Sequence, residues 1–198
     1  MCRSAFSFLY FSISEVIFLK NQTKLCIFTA LFAALSCVAT MLITIPTPTG
    51  GFVHLGDGMA LLCGWLLGPI WGALAAGLGG MMADFFSGFP LYAPATFIIK
   101  GAMAAIAYFM YKMLKKHHIA ALIAGGVIGE IFMIFGYFMY EMTVCGYGFG
   151  AIVGVPANGV QGAMGVISGV ILIEVVKKTR IAQKMSIKKG ILDHDRND

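Results

Sequence analysis

Charge is what this 198-residue chain has least of: only 12% of its residues are Asp, Glu, Lys or Arg, against about a quarter in an ordinary soluble domain. With 59% hydrophobic residues and a mean hydropathy of +0.87, so little charge excludes a soluble globular domain and makes lipid the expected solvent. Lys and Arg are missing altogether from three stretches, 44–54, 87–93 and 141–156. Catalytic signatures are missing as well. No G-x-x-x-x-G-K-[ST] phosphate loop occurs, so the chain carries no P-loop ATPase of its own, and no G-x-S-x-G, H-E-x-x-H or Cys/His metal spacing occurs either. An enzyme is therefore not expected, nor a bound metal or cofactor. The five cysteines (Cys2, Cys26, Cys37, Cys63, Cys145) are scattered and read as small apolar residues. No repeat of 20 to 50 residues supports a repeat-built transporter.

What is present is a series of apolar runs. Residues 25–45, 70–86, 94–114, 119–140 and 157–176 each approach the ~20 residues that a ~30 Å hydrocarbon core demands. A sixth run, 55–67, would reach only ~20 Å as helix, so hydropathy leaves its crossing open. Charge parity decides it. Lys20 and Lys24 precede the run 25–45, Lys112, Lys115 and Lys116 lie at the end of the run 94–114 or just beyond it, and Lys177, Lys178, Arg180 and Lys184 follow the run 157–176. Basic residues stay on the cytoplasmic side of short loops, and these clusters share one side only if the short run crosses too. The expectation is an all-α membrane protein: a six-transmembrane-helix bundle with both termini cytoplasmic and a structured outer loop between helices 1 and 2. Trp65 and Trp71 would anchor the inner turn Gly68-Pro69 at the interface. The net charge of +5 then reflects membrane orientation plus a basic tail, not a nucleic-acid partner.

One domain is expected, spanning residues 20–180. Residues 1–19 are apolar but interrupted by Glu15, too short to span and without a small-residue cleavage site, which argues against a signal peptide. They read as an uncertain extension: an interfacial segment, or translated leader upstream of the true start. Residues 181–198 read as a polar cytoplasmic tail.

Ionisable residues inside a span cost ~2.5 to 3.5 kcal/mol each even on the lenient scale, so each is a functional hypothesis. Asp84, Lys100 and Glu130 qualify. Asn158 and Gln161 share a helix face after Pro156, and His54 and Asp57 lie on or beside the first loop. With Tyr92 among a set of aromatics (Phe52, Phe86, Phe89, Phe97, Tyr137, Tyr140, Tyr147, Phe149) at the same level, they suggest a pocket for a planar heteroaromatic ligand. Plainer readings stand beside this one. Lys100 and Glu130 could neutralise each other, Asp57 and Asn158 could cap their helices, Asp84 could solvate a helix end, and the aromatics could form an interfacial belt. The Gly/Pro-rich segment holding Pro48, Gly50, Gly51, Phe52 and Asp57 reads as a lid. Small residues at helical spacing (Ala30 and Ala34; Ala76 and Gly80) read either as internal packing or as a docking row for a partner. A self-contained secondary carrier or channel with an Asp84–Lys100–Glu130 relay is the alternative function.

The segments PTPTGGFVHLGD, GPIWGALAAGLGGMMADFFSGFPLYAPATFIIKG and VPANGVQG together resemble the S components of energy-coupling factor (ECF) vitamin transporters, in the riboflavin, hydroxymethylpyrimidine and pyridoxine branch. The resemblance covers about residues 24–178. It implies a substrate-binding subunit of a multi-pass bacterial cell membrane transporter, capturing a vitamin from outside. Its implied partners are a membrane coupling subunit and two cytoplasmic ATPase subunits. It also implies ligand contacts from His54, Lys100, Glu130, Asn158 and Gln161, and docking through Ala30 and Ala34, with Ala76 and Gly80 less directly indicated.

Overall fold

The computed structural model of the chain describes residues 2–42, 44–46, 52–114 and 116–178. Helix α1 (Cys2–Leu42) leads into strands β1 (Thr44–Pro46) and β2 (Phe52–His54), followed by α2 (Asp57–Phe86), α3 (Ala93–Leu114), α4 (His118–Thr143), a 3-10 segment (Gly148–Gly154) and α5 (Val155–Lys178). Five helical stretches are long and apolar enough to cross a membrane: Gln22–Leu42 of α1, α2, α3, α4 and Gly148–Lys178. The strands form a two-stranded antiparallel ribbon pairing Thr44 with His54 and Pro46 with Phe52. Of the expected lid, Pro48, Gly50 and Gly51 lie outside the described residues, and so does the 181–198 tail.

The runs expected as separate second and third helices are continuous in α2, but α2 is not straight. Gly68 has φ 83° and ψ −175°, a conformation essentially closed to residues with a side chain, and Pro69 follows it. A Cβ on Gly72 would lie 2.4 Å from the carbonyl oxygen of Cys63. In a straight helix those residues would be separated by about 13 Å of axial rise, so the chain folds back at Gly68. Both limbs then lie on α3. Gly64 of the first limb would meet the Ala104 carbonyl, and Gly77 of the second that of Phe97, if either carried a Cβ.

Small residues pack this core. Ala76 is buried, a Cβ on Gly80 would meet Thr96, and one on Gly79 would meet the Ala33 carbonyl of α1. The α2 row is thus spent on internal packing, which removes Ala76 and Gly80 from any docking surface, while Ala30 and Ala34 on α1 remain exposed. Trp65 is not an interfacial anchor: it is fully buried and its indole N–H donates to the Ala107 carbonyl at 3.3 Å. Only Trp71 is partly exposed. At the end of the bundle where α3 passes to α4, Tyr111, His118 and Glu174 join three helices, with His118 2.7 Å from each partner.

Candidate functional site

Asp57, the first residue of α2, is fully buried and is approached from three other elements. The ribbon delivers the chain so far into the bundle that α2 starts beside Lys100, two turns inside α3. The Lys100 ammonium donates to Asp57 Oδ1. Gln161 of α5 donates from Nε2 to Oδ2 at 2.8 Å, and its own Oε1 accepts the backbone N–H of His54 at 2.9 Å. His54 Nδ1 in turn accepts the Gly56 N–H at 3.0 Å. Burial, reinforced by the Lys100 ammonium, pushes the His54 imidazole down to about 4, so the ring is neutral and keeps its proton on Nε2. The node ties the first loop to α2, α3 and α5 with charge-assisted bonds in a low-dielectric setting.

Around this node runs a column of buried polar groups. Glu130 of α4 lies against the glycine face of α5, where a Cβ on Gly165 would sit 2.4 Å from Glu130 Oε1 and 2.7 Å from Asp57 Cβ. Only 3% exposed, Glu130 lies beside the Asp57 carboxyl, close enough for the two to share a hydrogen bond, while Asp84 Oδ2 has no hydrogen-bond partner among the described residues. A turn or two along the helices from this level, the Thr96 and Tyr137 hydroxyls are 2.8 Å apart, and the Lys100 ammonium sits 5.5 Å from the Tyr137 ring centroid. Farther along, Tyr92 OH donates to Glu141 Oε1 at 3.4 Å and its ring packs edge-on to Tyr140.

The expected site residues His54, Asp84, Tyr92, Lys100, Glu130, Asn158 and Gln161 are all buried. Several expected pairings change. Lys100 binds Asp57, not Glu130, because α2 begins deep enough to bring Asp57 to the ammonium. Asp57 makes no capping bond, since Gly56 is the N-cap, and its side chain turns to the cation. Asn158 is not a cap either, because α5 starts three residues earlier at Val155. The aromatic set divides: Tyr92 and Tyr137 are buried, whereas Phe86 and Phe149 face outward, Phe149 at 86% exposure. Three buried polar residues, Thr96, Tyr137 and Glu141, belong to the column but not to the expected list of ligand contacts. Their signal was periodicity: Thr96 stands one turn from Lys100, and Glu130, Tyr137 and Glu141 fall on one stripe of α4.

The model of the family "ECF-type riboflavin transporter, S component" matches residues 20–178. The chain belongs to that family. It is a substrate-binding subunit of an ECF transporter and a multi-pass membrane protein, not an enzyme. An uncharacterized protein of Pyrococcus woesei, named for a gap 3′ region, is 34% identical over 142 residues, covering 71% of this chain and 93% of its own. The solved S component of a bacterial ECF transporter shares the fold with a TM-score of 0.64, at 23% identity, over 83% of this chain and 99% of that one. Membership in the family implies a vitamin substrate and ECF module partners.

Proposed function

We infer that this S component captures a water-soluble vitamin or vitamin precursor, of pyridoxine-, hydroxymethylpyrimidine- or riboflavin-like type, from outside a bacterial cell membrane. A membrane coupling subunit and two cytoplasmic ATPases then drive its release inward. The observation that carries this reading is the family match over 20–178, joined by the buried polar column that begins at Asp57. The six-crossing arrangement with both termini cytoplasmic is part of the proposal, and the fold-back at Gly68 supports it. So is the assignment of His54, Asp84, Tyr92, Lys100, Glu130, Asn158 and Gln161 to the ligand site, with Ala30 and Ala34 on the docking face.

Capture and transport separate cleanly in this reading. Purified protein retains a small molecule that mass spectrometry identifies after denaturation, and rebinds it without nucleotide. Proteoliposomes holding this chain alone accumulate none of it under a proton or sodium gradient, whereas adding the partner module and ATP starts uptake. Gradient-driven uptake by the chain alone would instead make Asp84, Lys100 and Glu130 the relay of a secondary carrier.

A further inference from the structure

We propose, resting on the capture reading above, that Gln161 is a positioning residue of the capture site: it acts through His54 and Asp57, strutting the end of the ribbon and the start of α2 against α5, and not through a contact of its own with the ligand. The geometry of its amide leads there. Gln161 is 5% exposed, and each of its polar atoms already has a protein partner. Nε2 donates to Asp57 Oδ2 at 2.8 Å, and Oε1 accepts the His54 backbone N–H at 2.9 Å. A carboxylate can only accept and a backbone N–H can only donate, so both partners demand the same orientation of the amide. A ligand would have to use what remains, one N–H and one lone pair of a nearly enclosed side chain.

The strut has firm footing at both ends. On the α5 side, Gly165 and Gly169 follow Gln161 at intervals of one turn and press that face onto the start of α2. A Cβ on Gly165 would lie 2.7 Å from Asp57 Cβ, and one on Gly169 would lie 3.3 Å from the Gly58 carbonyl oxygen. On the other side, the turn from His54 to Asp57 is a self-bonded unit in which the Gly56 N–H donates to His54 Nδ1. A Cβ on Gly56 would collide with Thr40 Oγ1 of α1, so the turn is wedged between α1 and α5. Removing the amide leaves the His54 N–H buried without that acceptor and takes one of two side-chain donors from Asp57, a cost that the turn escapes by moving away from α5. Asp57 would then leave its place opposite Lys100, and the wall of the site would loosen without loss of any ligand-touching atom.

Hydrogen–deuterium exchange on the purified full chain, washed until mass spectrometry finds no small molecule, tests the strut without the ligand. Gln161→Met keeps the length and removes both hydrogen-bonding atoms. In it the His54 and Gly56 amides are expected to exchange at least about tenfold faster than in wild type, while the amides of α3 stay within about twofold. In unwashed protein, the co-purified small molecule counted per chain should fall by about tenfold or more. Gln161→Glu is the second variant. It keeps an acceptor for the His54 N–H but sets a carboxylate against Asp57, and only its protonated form donates to Asp57 as the amide does. Its unfolding temperature should lie below wild type at neutral pH and approach wild type on acidification. The titratable groups around it, His54, Asp57, Lys100 and Glu130, are common to both proteins, so the gap between the two curves isolates the new carboxyl. Wild-type exchange in washed Gln161→Met with retention lost would make Gln161 a direct ligand contact and overturn the proposal. Faster exchange with retention unchanged would also overturn it, and so would a gap that does not close on acidification. A wild type that retains no small molecule would sink the capture reading instead, while exchange and acid rescue still decide whether Gln161 holds the turn.

Discussion

At Lys100 a single side chain decides how the interior is charged. It is 2% exposed, two turns inside α3, and its ammonium is committed to Asp57 while lying near the Tyr137 ring. Removing one member of such a pair strands the other in a low-dielectric interior, which typically costs 3–5 kcal/mol, about what replacing both by apolar residues avoids. Lys100→Met is therefore expected to lower stability by about 3–5 kcal/mol, with Lys100→Met/Asp57→Leu recovering most of it in thermal unfolding of the detergent-solubilised protein. Neither variant should bind ligand. Equal destabilisation by the single and double variants would mean that Asp57 is sustained by Gln161 and the helix start without the cation. The Lys100–Asp57 pair also shows where sequence reasoning stops. That Lys100 needs a partner follows from its place in an apolar run, but three carboxylates compete for it, and the choice depends on how deep α2 begins. Depth is set by a ribbon whose reach no periodicity reports.

At the scale of the helix, α2 turns on one residue. Its hydropathy reads as a short run and a long one separated by Gly68-Pro69, and that boundary was legible because Gly-Pro breaks a helical pattern wherever it stands. The run 55–67 gave no decision on its own, since a limb of about 20 Å neither spans nor clearly stops. What settles its direction is the approach of Gly72 to Cys63, a contact that exists only if the limbs are antiparallel. The same dense glycine usage misled about docking, because a row of small residues looks identical whether it faces a partner or a neighbouring helix. Gly68 at φ 83°, ψ −175° is the hinge of the arrangement, and a side chain there is forced into a region occupied almost solely by glycine. Gly68→Ala is expected to cost about 1–3 kcal/mol and to weaken ligand binding, because the fold-back holds Asp57 opposite Lys100. Unfolding temperature and binding affinity should fall together, and a variant indistinguishable from wild type in both would show that the turn tolerates another conformation.

For the whole molecule, the fold-back and the charge pattern constrain the same quantity, the side of the membrane on which each end lies. If α2 passed straight through, the number of crossings would be odd and Lys24 would face the opposite side from Lys178. The cluster at Lys112 and Lys116 would also part from Lys24, and basic residues would stand on both faces, against the bias that orients membrane proteins. In the six-crossing arrangement proposed above, with the chain doubled at Gly68, Lys24, Lys112, Lys116 and Lys178 would gather on one side. In that arrangement the polar column from Asp57 past Tyr137 to Glu141 would run toward the face without basic residues, while α1 leaves Ala30 and Ala34 exposed. Single cysteines labelled in intact cells with a membrane-impermeant maleimide test this directly. In a background with the other cysteines removed, native Cys145 and Leu91→Cys are expected to react from outside, and Lys24→Cys, Lys116→Cys and Lys178→Cys only after permeabilisation. Reaction of Lys24→Cys and Lys178→Cys from opposite sides would require α2 to cross once, and would detach the buried carboxylates from the face through which a captured molecule must enter.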